Sequence, residues 1–179
     1  MIAIATAIAA LAGLVTASGH LSSLAALDAS QLWDGELWRL FSGHLAHLSW
    51  RHYWVDAPAF IALYASYGRR ADRASALLLL LFAAMTVSLT VVVAGIHQVY
   101  GGLSGLSCAA VSASLIGLIL ERPRQLFPYL LSGMYCCYLL FMGGVSSGVP
   151  VAHEAHLAGS AAGVLFVLAS TAKKACNGI

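Results

Sequence analysis

The sequence Gly-Leu-Ser-Gly at residues 102–105 opens a hydrophobic stretch that runs to residue 120. The sequence Ala-His-Leu-Ala-Gly at residues 155–159 lies at the start of another, at residues 154–172. A serine hydroxyl is a weak nucleophile unless a base removes its proton, and neutral histidine suits that task near pH 7. Ser104 and His156 are therefore a candidate catalytic pair. Because both lie in hydrophobic stretches, the motifs predict a serine hydrolase built inside a membrane.

The composition is that of an integral membrane protein. Of the 179 residues, 60% are hydrophobic and only 9% are charged, and the mean hydropathy is +0.85. Ordinary soluble domains of this length do not have such a balance. We expect a lipid bilayer around the chain and no nucleic-acid partner. The four cysteines lack the paired spacing of metal sites, so we expect neither a disulfide framework nor a zinc site, and no cofactor.

Six hydrophobic segments approach the length of a membrane-spanning helix: residues 2–18, 47–68, 74–94, 104–120, 125–142 and 154–172. The first lacks the basic n-region of a signal peptide and is followed by further segments, so it predicts a membrane helix. The connections are short except for residues 19–46. The pattern predicts one domain over residues 1–179, an all-α polytopic membrane protein with six transmembrane helices in a bundle.

The basic residues predict the orientation. If the amino terminus is cytoplasmic, only Arg39 and Arg51 lie on the outer side, and the other seven of the nine basic residues lie inside: Arg69, Arg70, Arg73, Arg122, Arg124, Lys173 and Lys174. Such a bias follows the positive-inside rule. Both termini are then expected in the cytoplasm.

Three polar residues are expected at one depth in the membrane. Charged residues mark the inner ends of the second, fourth and sixth predicted helices: Arg69, Glu121 and Lys173. A polar residue lies 17 positions before each of these charged residues: His52 before Arg69, Ser104 before Glu121 and His156 before Lys173. At about 1.5 Å per residue, they lie roughly 25 Å above the inner boundary of a layer about 30 Å thick. The spacing predicts a shared polar site just below the outer surface.

Small residues predict close contact between the fourth and sixth helices. Ser104, Cys108 and Ser112 share one face of the former, and Gly159 and Gly163 share one face of the latter. Such patterns let membrane helices pack backbone to backbone, which would bring the His156 ring within reach of the Ser104 hydroxyl. In the alternative reading, Ser104 is a packing residue and His156 a solvated residue at a helix end.

Acyl transfer also requires donors for the negative charge that develops on the carbonyl oxygen. His52 and the Ser104 backbone amide are candidates. Asp56 lies one turn deeper on the face of His52, where burial among apolar side chains would favour its protonated form. A neutral Asp56 could donate, whereas an ionised one would oppose an oxyanion. Its other reading is to orient His52 or to bind a water molecule.

Together these residues resemble the rhomboid family of intramembrane serine proteases over nearly the whole chain. The matching features are listed in chain order: Trp38-Arg39 in the long first loop, the histidines His44, His47 and His52, the serine motif from Gly102 to Gly105, and the histidine motif ending at Gly159, with Gly163 one turn later. The resemblance implies a six-helix core, a Ser104–His156 dyad without a third acid, and an oxyanion hole in which His52 takes part. It also implies that the loop with Trp38 and Arg39 lies partly in the outer leaflet.

Within the family, this chain most resembles the rhombosortases, which are bacterial rhomboids. The resemblance lies in its small size and in residues 35–40 and 43–48. This resemblance implies single-span membrane substrates with a carboxy-terminal Gly-Gly motif, a membrane helix and a basic tail. Cleavage is then expected near the outer, periplasmic face of the inner membrane.

Two positions depart from the family pattern. The family usually has Asn where this chain has Asp56, and an aromatic residue or His where it has Cys108. The first departure affects the third oxyanion donor, and the second removes a ring that would pack against the catalytic histidine.

Other polar and aromatic residues have simpler expected roles. We expect Arg39 to organise loop carbonyls, His153 and Glu154 to be solvent-exposed, and an interfacial aromatic belt from Trp33, Trp50, Tyr53 and Trp54. On the fifth helix, we expect Tyr135, Tyr138 and Phe141 to face either the lipid or the core, and the family resemblance implies a gating role for this helix.

Two rival functions stay open from sequence. One is an inactive rhomboid relative that binds membrane helices. The other is a metal-binding membrane protein, because imidazole and carboxylate suit transition metals; its ligands would come from His44, His47, His52, Asp56, His153 and His156.

Overall fold

The computed structural model describes residues 1–121 and 151–177, together with Phe127, Leu130, Gly133 and Met134. The predicted fifth helix, with its three aromatic residues, lies largely outside the described residues, as do Arg122 and Arg124. The described elements follow in chain order: α1 (Ile2–Ala17), α2 (Gly19–Ala25), β1 (Leu27–Asp28), α3 (Ala29–Trp33), α4 (Arg39–Ser42), a 3-10 turn (Gly43–Leu45), α5 (Trp50–Gly68), α6 (Arg73–Ala94), β2 (Val99–Tyr100), α7 (Ser104–Glu121) and α8 (His153–Asn177).

The long helices match the predicted segments to within a few residues, and local signals fix several of their ends. Ser49 caps α5 by accepting a hydrogen bond from the His52 amide, so this helix begins later than the predicted residue 47. Asp72 caps α6 in the same way through the Ser75 amide. Gly95, with φ of +62°, ends α6 in the left-handed conformation that glycine adopts most readily.

Three described helices are long and apolar enough to cross a membrane, namely α6, α7 and the part of α8 up to Ala172. If α1 and α2, which meet at a bend of 117°, count as one broken span, the number rises to four. The chain is thus a mostly helical integral membrane protein. The six spans, the cytoplasmic termini and the single domain stay predictions.

The long first loop is more ordered in secondary structure than the all-α prediction allowed. Its β1 strand pairs antiparallel with β2, with Leu27 opposite Tyr100 and Asp28 opposite Val99. Strands of two residues are too short to show an alternating hydrophobic pattern, so they could not be predicted from the sequence. The ladder joins the first loop to the segment that leads into the serine motif.

Helix α7 is the most enclosed of these three candidate spans. Of its 18-residue apolar stretch, 61% is buried, against 39% for α6 and 33% for the α8 span. It packs against α5, α6 and α8. Tyr53 is also buried and donates a hydrogen bond to the Ala9 carbonyl at 3.1 Å, so it packs inside the protein rather than in the predicted interfacial aromatic belt. Its neighbours in that prediction are exposed: Trp33, Trp50 and Trp54.

Candidate active site

Ser104 and His156 form a buried hydrogen bond between two helices. His156 Nε2 lies 2.8 Å from Ser104 Oγ, and the two residues are only 4% and 6% exposed. Ser104 is the first residue of α7, and His156 lies in the first turn of α8. The structure therefore brings together the two side chains that the sequence singled out, at the distance a nucleophile and its base require.

Gly102 holds the backbone just before this serine in a conformation that favours glycine. Its φ is +139°, which other L-residues rarely adopt. A Cβ atom placed on it would lie 2.9 Å from Asp56 Oδ2 and 3.0 Å from His52 Cε1. The missing side chain thus allows α5 to press His52 and Asp56 against the backbone two residues before Ser104.

Asp56 is 2% exposed, but its carboxylate meets imidazoles rather than apolar side chains. Its Oδ2 lies 3.2 Å from His52 Nε2 and 3.5 Å from His47 Nε2. The expected apolar surroundings of Asp56 were therefore wrong. His47 belongs to the predicted histidine array, but its place beside Asp56 was not predicted, because it lies before the first residue of α5 and not on the helix that carries Asp56.

The close contact between α7 and α8 is made by glycine, as the small residues indicated, but on a neighbouring face of α7. A Cβ atom on Gly159 would overlap the carbonyl oxygen of Gly105, and one on Gly163 would overlap that of Ala109. The predicted face of Ser104, Cys108 and Ser112 lies one residue away around the helix. Because the backbone contact is made by the face of α7 with Gly105 and Ala109, Ser104 on the neighbouring face can hydrogen-bond to His156.

Arg39 is buried and joins parts of the first loop. Its guanidinium donates to the carbonyls of Ser23 at 2.9 Å and Ala26 at 2.6 Å, and it pairs with Glu36 at 2.6 Å. Trp38, beside it, is 54% exposed. Within this motif, Arg39 thus faces into the loop and Trp38 faces outward.

His44 connects the first loop to α6. Its Nε2 donates to the Ala84 carbonyl at 3.1 Å, and Ser88 Oγ lies 3.2 Å from the same nitrogen. Burial lowers the pKa of His44 below its usual value, because the charged ring would lose its hydration. The Gly43 carbonyl, next to it, accepts the Gly102 amide at 3.3 Å. His44 therefore lies apart from the Ser104–His156 pair and supports the loop next to it.

Comparison with known families now bears on this geometry. A family model described as Rhomboid domain matches residues 34–172. The chain belongs to the rhomboid family. A search of the curated proteins found no match. Rhomboids are generally intramembrane serine proteases that act on transmembrane substrates in the bilayer, and the matched range contains Ser104, His156, His52 and Asp56.

This rhomboid also has a contact between a histidine and a carboxylate that sequence reasoning missed. His97 Nε2, in the turn after α6, lies 3.3 Å from Glu154 Oε1, two residues before His156. The Glu154 side chain is only 14% exposed, so its expected solvent exposure was wrong, whereas His153 is exposed. The pair links the segment before β2 to the start of α8. The two residues are 57 positions apart in the sequence, so no local pattern could have revealed the contact.

The structure also bears on the metal-binding alternative. Among the described residues, no group of three or more His, Cys, Asp or Glu side chains is arranged to hold a metal ion. Of the residues named for that alternative, His47 and His52 both contact Asp56, His44 bonds to the Ala84 carbonyl, and His156 bonds to Ser104 Oγ.

Proposed function

We propose that this rhomboid is an intramembrane serine endopeptidase in which Ser104 is the nucleophile and His156 the general base. The observation that carries the proposal is the 2.8 Å contact between Ser104 Oγ and His156 Nε2. An ionisable side chain buried within a membrane helix is costly and marks a functional site by default. Here the buried histidine meets a hydroxyl that it can activate.

The geometry supports a two-stage reaction. Ser104 Oγ bonds to the carbonyl carbon of the substrate while its proton passes to His156 Nε2, which requires a neutral ring with its hydrogen on Nδ1. Collapse of the intermediate breaks the C–N bond, and His156 returns the proton to the leaving nitrogen. A water molecule then attacks the acyl-enzyme with His156 again acting as base, and Ser104 recovers its proton.

Negative charge on the substrate oxygen would form at the amino-terminal end of α7. The first backbone N–H groups of a helix have no partner within it, and the helix dipole places partial positive charge there. Ser104 is the first residue of this 18-residue helix. Its amide and His52 are the proposed donors, and donors fixed before reaction contribute much of the rate in acyl transfer.

The proposed substrate is a membrane helix that unwinds near its outer end. Unwound backbone at membrane depth is tolerated only where protein or water satisfies its polar groups, so the site must open to the aqueous outer side, which must also supply the hydrolytic water. Small residues at the cut would favour unwinding and access. The outer side is assigned from the positive-inside bias of the basic residues.

The finer proposal is that the enzyme is a rhombosortase of the bacterial inner membrane. It is supported by the resemblance of residues 35–40 and 43–48. Its substrates would be exported proteins with a carboxy-terminal Gly-Gly motif, a single membrane helix and a basic tail, cut near the periplasmic face.

Covalent labelling tests the chemistry without a known substrate. Detergent-purified protein is treated with a fluorophosphonate probe, and the labelled peptide is identified by mass spectrometry. We expect labelling of Ser104 that is lost in Ser104→Ala and His156→Ala. Ser107→Ala is the matched control, since Ser107 is a buried serine of the same helix whose hydroxyl donates to the Leu103 carbonyl. Folded protein that is never labelled would overturn the serine protease proposal.

Co-expression with a reporter tests the substrate class. The reporter carries a periplasmic domain, a Gly-Gly motif, one membrane helix and a basic tail, and a second reporter has the glycines replaced by bulky residues. We expect the wild-type enzyme, but not Ser104→Ala, to release the first reporter and to leave the second uncut. Equal cutting of both would leave the protease in place and reject the rhombosortase assignment.

A further inference from the structure

Three ionisable side chains meet beside the backbone that precedes Ser104. Asp56 Oδ2 lies between two imidazole nitrogens, 3.2 Å from His52 Nε2 and 3.5 Å from His47 Nε2. The His47 and Asp56 side chains are 0% and 3% exposed, and the two imidazole rings are 5.0 Å apart. This His47–Asp56–His52 cluster is in contact with Gly102 through His52 and Asp56.

Burial decides the charge of the cluster. A carboxylate buried without a counter-charge is very unfavourable, whereas a buried carboxylate with a protonated imidazole at ion-pair distance is neutral as a pair. Both imidazoles face the same carboxylate oxygen through Nε2, which is a donor only when it carries a hydrogen. If the two imidazoles share one additional proton, the cluster contains one imidazolium paired with the Asp56 carboxylate and one neutral imidazole.

The position of His52 Nε2 also limits what the other ring nitrogen can do. In a neutral His52 that donates from Nε2 to Asp56, Nδ1 has a lone pair and cannot donate to an oxyanion. In an imidazolium, both nitrogens donate. Within the described part of the chain, His52 Nδ1 is buried and has no hydrogen-bond partner. An oxyanion donor at His52 is therefore available in this arrangement when the ring is charged.

We propose that Asp56 is a positioning residue that holds His52 as an imidazolium, so that the oxyanion formed at Ser104 meets a cationic donor. This inference rests on the proposed serine protease function. It also assigns a role to a departure from the family pattern, since the amide of the usual Asn has no charge with which to hold an imidazolium. The negative charge of Asp56 is then turned toward His52 and His47 and not toward the oxyanion.

The other titratable groups near the cluster come from several elements. Tyr53 of α5 has its ring centroid 5.4 Å from that of His47. Tyr100 of β2 and His156 of α8 are close enough to Asp56 for an electrostatic interaction, and His156 also interacts with His52, His153 and Glu154. Among these neighbours, Asp56 is the carboxylate in direct contact with His52.

The rate of fluorophosphonate labelling at Ser104 tests the proposal, because the probe places a phosphoryl oxygen where the oxyanion would form. The rate is measured from about pH 6 to about pH 9.5 for wild type and for Asp56→Asn, with Asp72→Asn as control. Asp72 is an exposed carboxylate that caps α6 and follows the end of α5 opposite to His52, and Asn caps helices equally well.

We expect the wild-type rate to fall on the order of 100-fold once alkaline pH removes the shared proton, the effect of losing one oxyanion donor. In Asp56→Asn the fall should disappear, because a neutral His52 that is no longer turned to a carboxylate can donate its one N–H at every pH in the range. Asp72→Asn should follow the wild type. Superimposable alkaline profiles for wild type and Asp56→Asn would overturn the inference.

Nitrogen NMR of ¹⁵N-histidine-labelled protein gives a readout that does not depend on any variant being active. The His52 signals are assigned by their loss in His52→Asn. We expect both ring nitrogens of His52 to be protonated in wild type at about pH 7, and a neutral ring in Asp56→Asn. A neutral His52 in wild type would reject the ion pair even with Ser104 reactive. Protein that never labels at Ser104 but shows the imidazolium would instead reject the protease function.

Discussion

A side chain on Gly159 would overlap the carbonyl oxygen of Gly105, so α8 and α7 meet backbone to backbone directly beside the Ser104–His156 hydrogen bond. Gly105 follows the serine by one residue, and Gly159 follows the histidine by three. The same contact is repeated one turn on, between Gly163 and Ala109. The spacing of the two helices, and hence the distance from His156 to Ser104, is set by the lack of a methyl group at Gly159 and Gly163.

Replacing Gly159 with alanine should therefore increase the distance between Ser104 and His156. The added methyl group must push α8 from α7, and overpacking of this kind costs about 1–3 kcal/mol. Displacement of a base by about 1 Å can cost on the order of 100-fold in rate. We expect Gly159→Ala to lower the rate of Ser104 labelling at least about 10-fold and to lower the melting temperature in detergent.

Gly117→Ala is the matched control, because a Cβ atom at that α7 position meets nothing within 4 Å among the described residues. Alanine is also the better helix former by about 1 kcal/mol. The control should keep its labelling rate and melt at the same temperature or higher. A Gly159→Ala protein that labels like Gly117→Ala would refute the role of this contact.

Gly102→Ala should act on the site through α5. Alanine at φ of +139° is strained, and its Cβ would meet His52 and Asp56. The compared variant is Gly95→Ala, which shares the positive φ but has no atom within 4 Å of the new Cβ in the described structure. Both should lose stability through the backbone, by about 1–2 kcal/mol, but only Gly102→Ala should lose most of its Ser104 labelling. Equal labelling of the two would contradict the predicted contact.

How far the sequence predicted this molecule depends on the range of each interaction. The ends of α6 and α7 were predictable because a hydrophobic run and its caps are local, as Asp72 and Gly95 show. Ser104 and His156 were predictable as a pair because both lie at the same count from a charged helix end. The same local logic placed small residues between α7 and α8, with an error of one residue in the face.

Contacts between distant parts of the chain were not predictable. His97 and Glu154 meet across two loops, and the β1–β2 ladder joins residues 27–28 to residues 99–100. Asp56 was expected in apolar surroundings because its own helix is apolar at the positions around it. The histidine that changes this, His47, comes from the turn before the helix, so its approach depends on how the first loop folds back.

Arg39→Ala should loosen that loop. The substitution removes the donor for the Ser23 and Ala26 carbonyls and the partner of Glu36. Buried acceptors left without a donor cost about 1–3 kcal/mol each, so we expect a loss of about 2–4 kcal/mol in stability and faster proteolysis between α1 and α5. Arg69→Ala is the control, because Arg69 is exposed and its side chain bonds only to Ser66, at 3.4 Å, among the residues that the structure describes. Cleavage sites and melting temperatures that match this control would show that Arg39 is not the anchor.

The last prediction concerns acid. Because burial lowers the pKa of His44, the unfolded chain binds a proton at this residue more readily than the folded protein does. Stability from a base with a lowered pKa is complete above its ordinary value of about 6.5 and is lost as the pH falls below that value toward the folded pKa. We expect the melting temperature to fall between about pH 7.5 and about pH 5.5, and to fall less in His44→Gln, whose amide can still donate to Ala84 but does not titrate. His20→Gln removes an exposed histidine and should keep the wild-type slope. If His44→Gln and His20→Gln melt with the same dependence on pH, the acid sensitivity comes from another group.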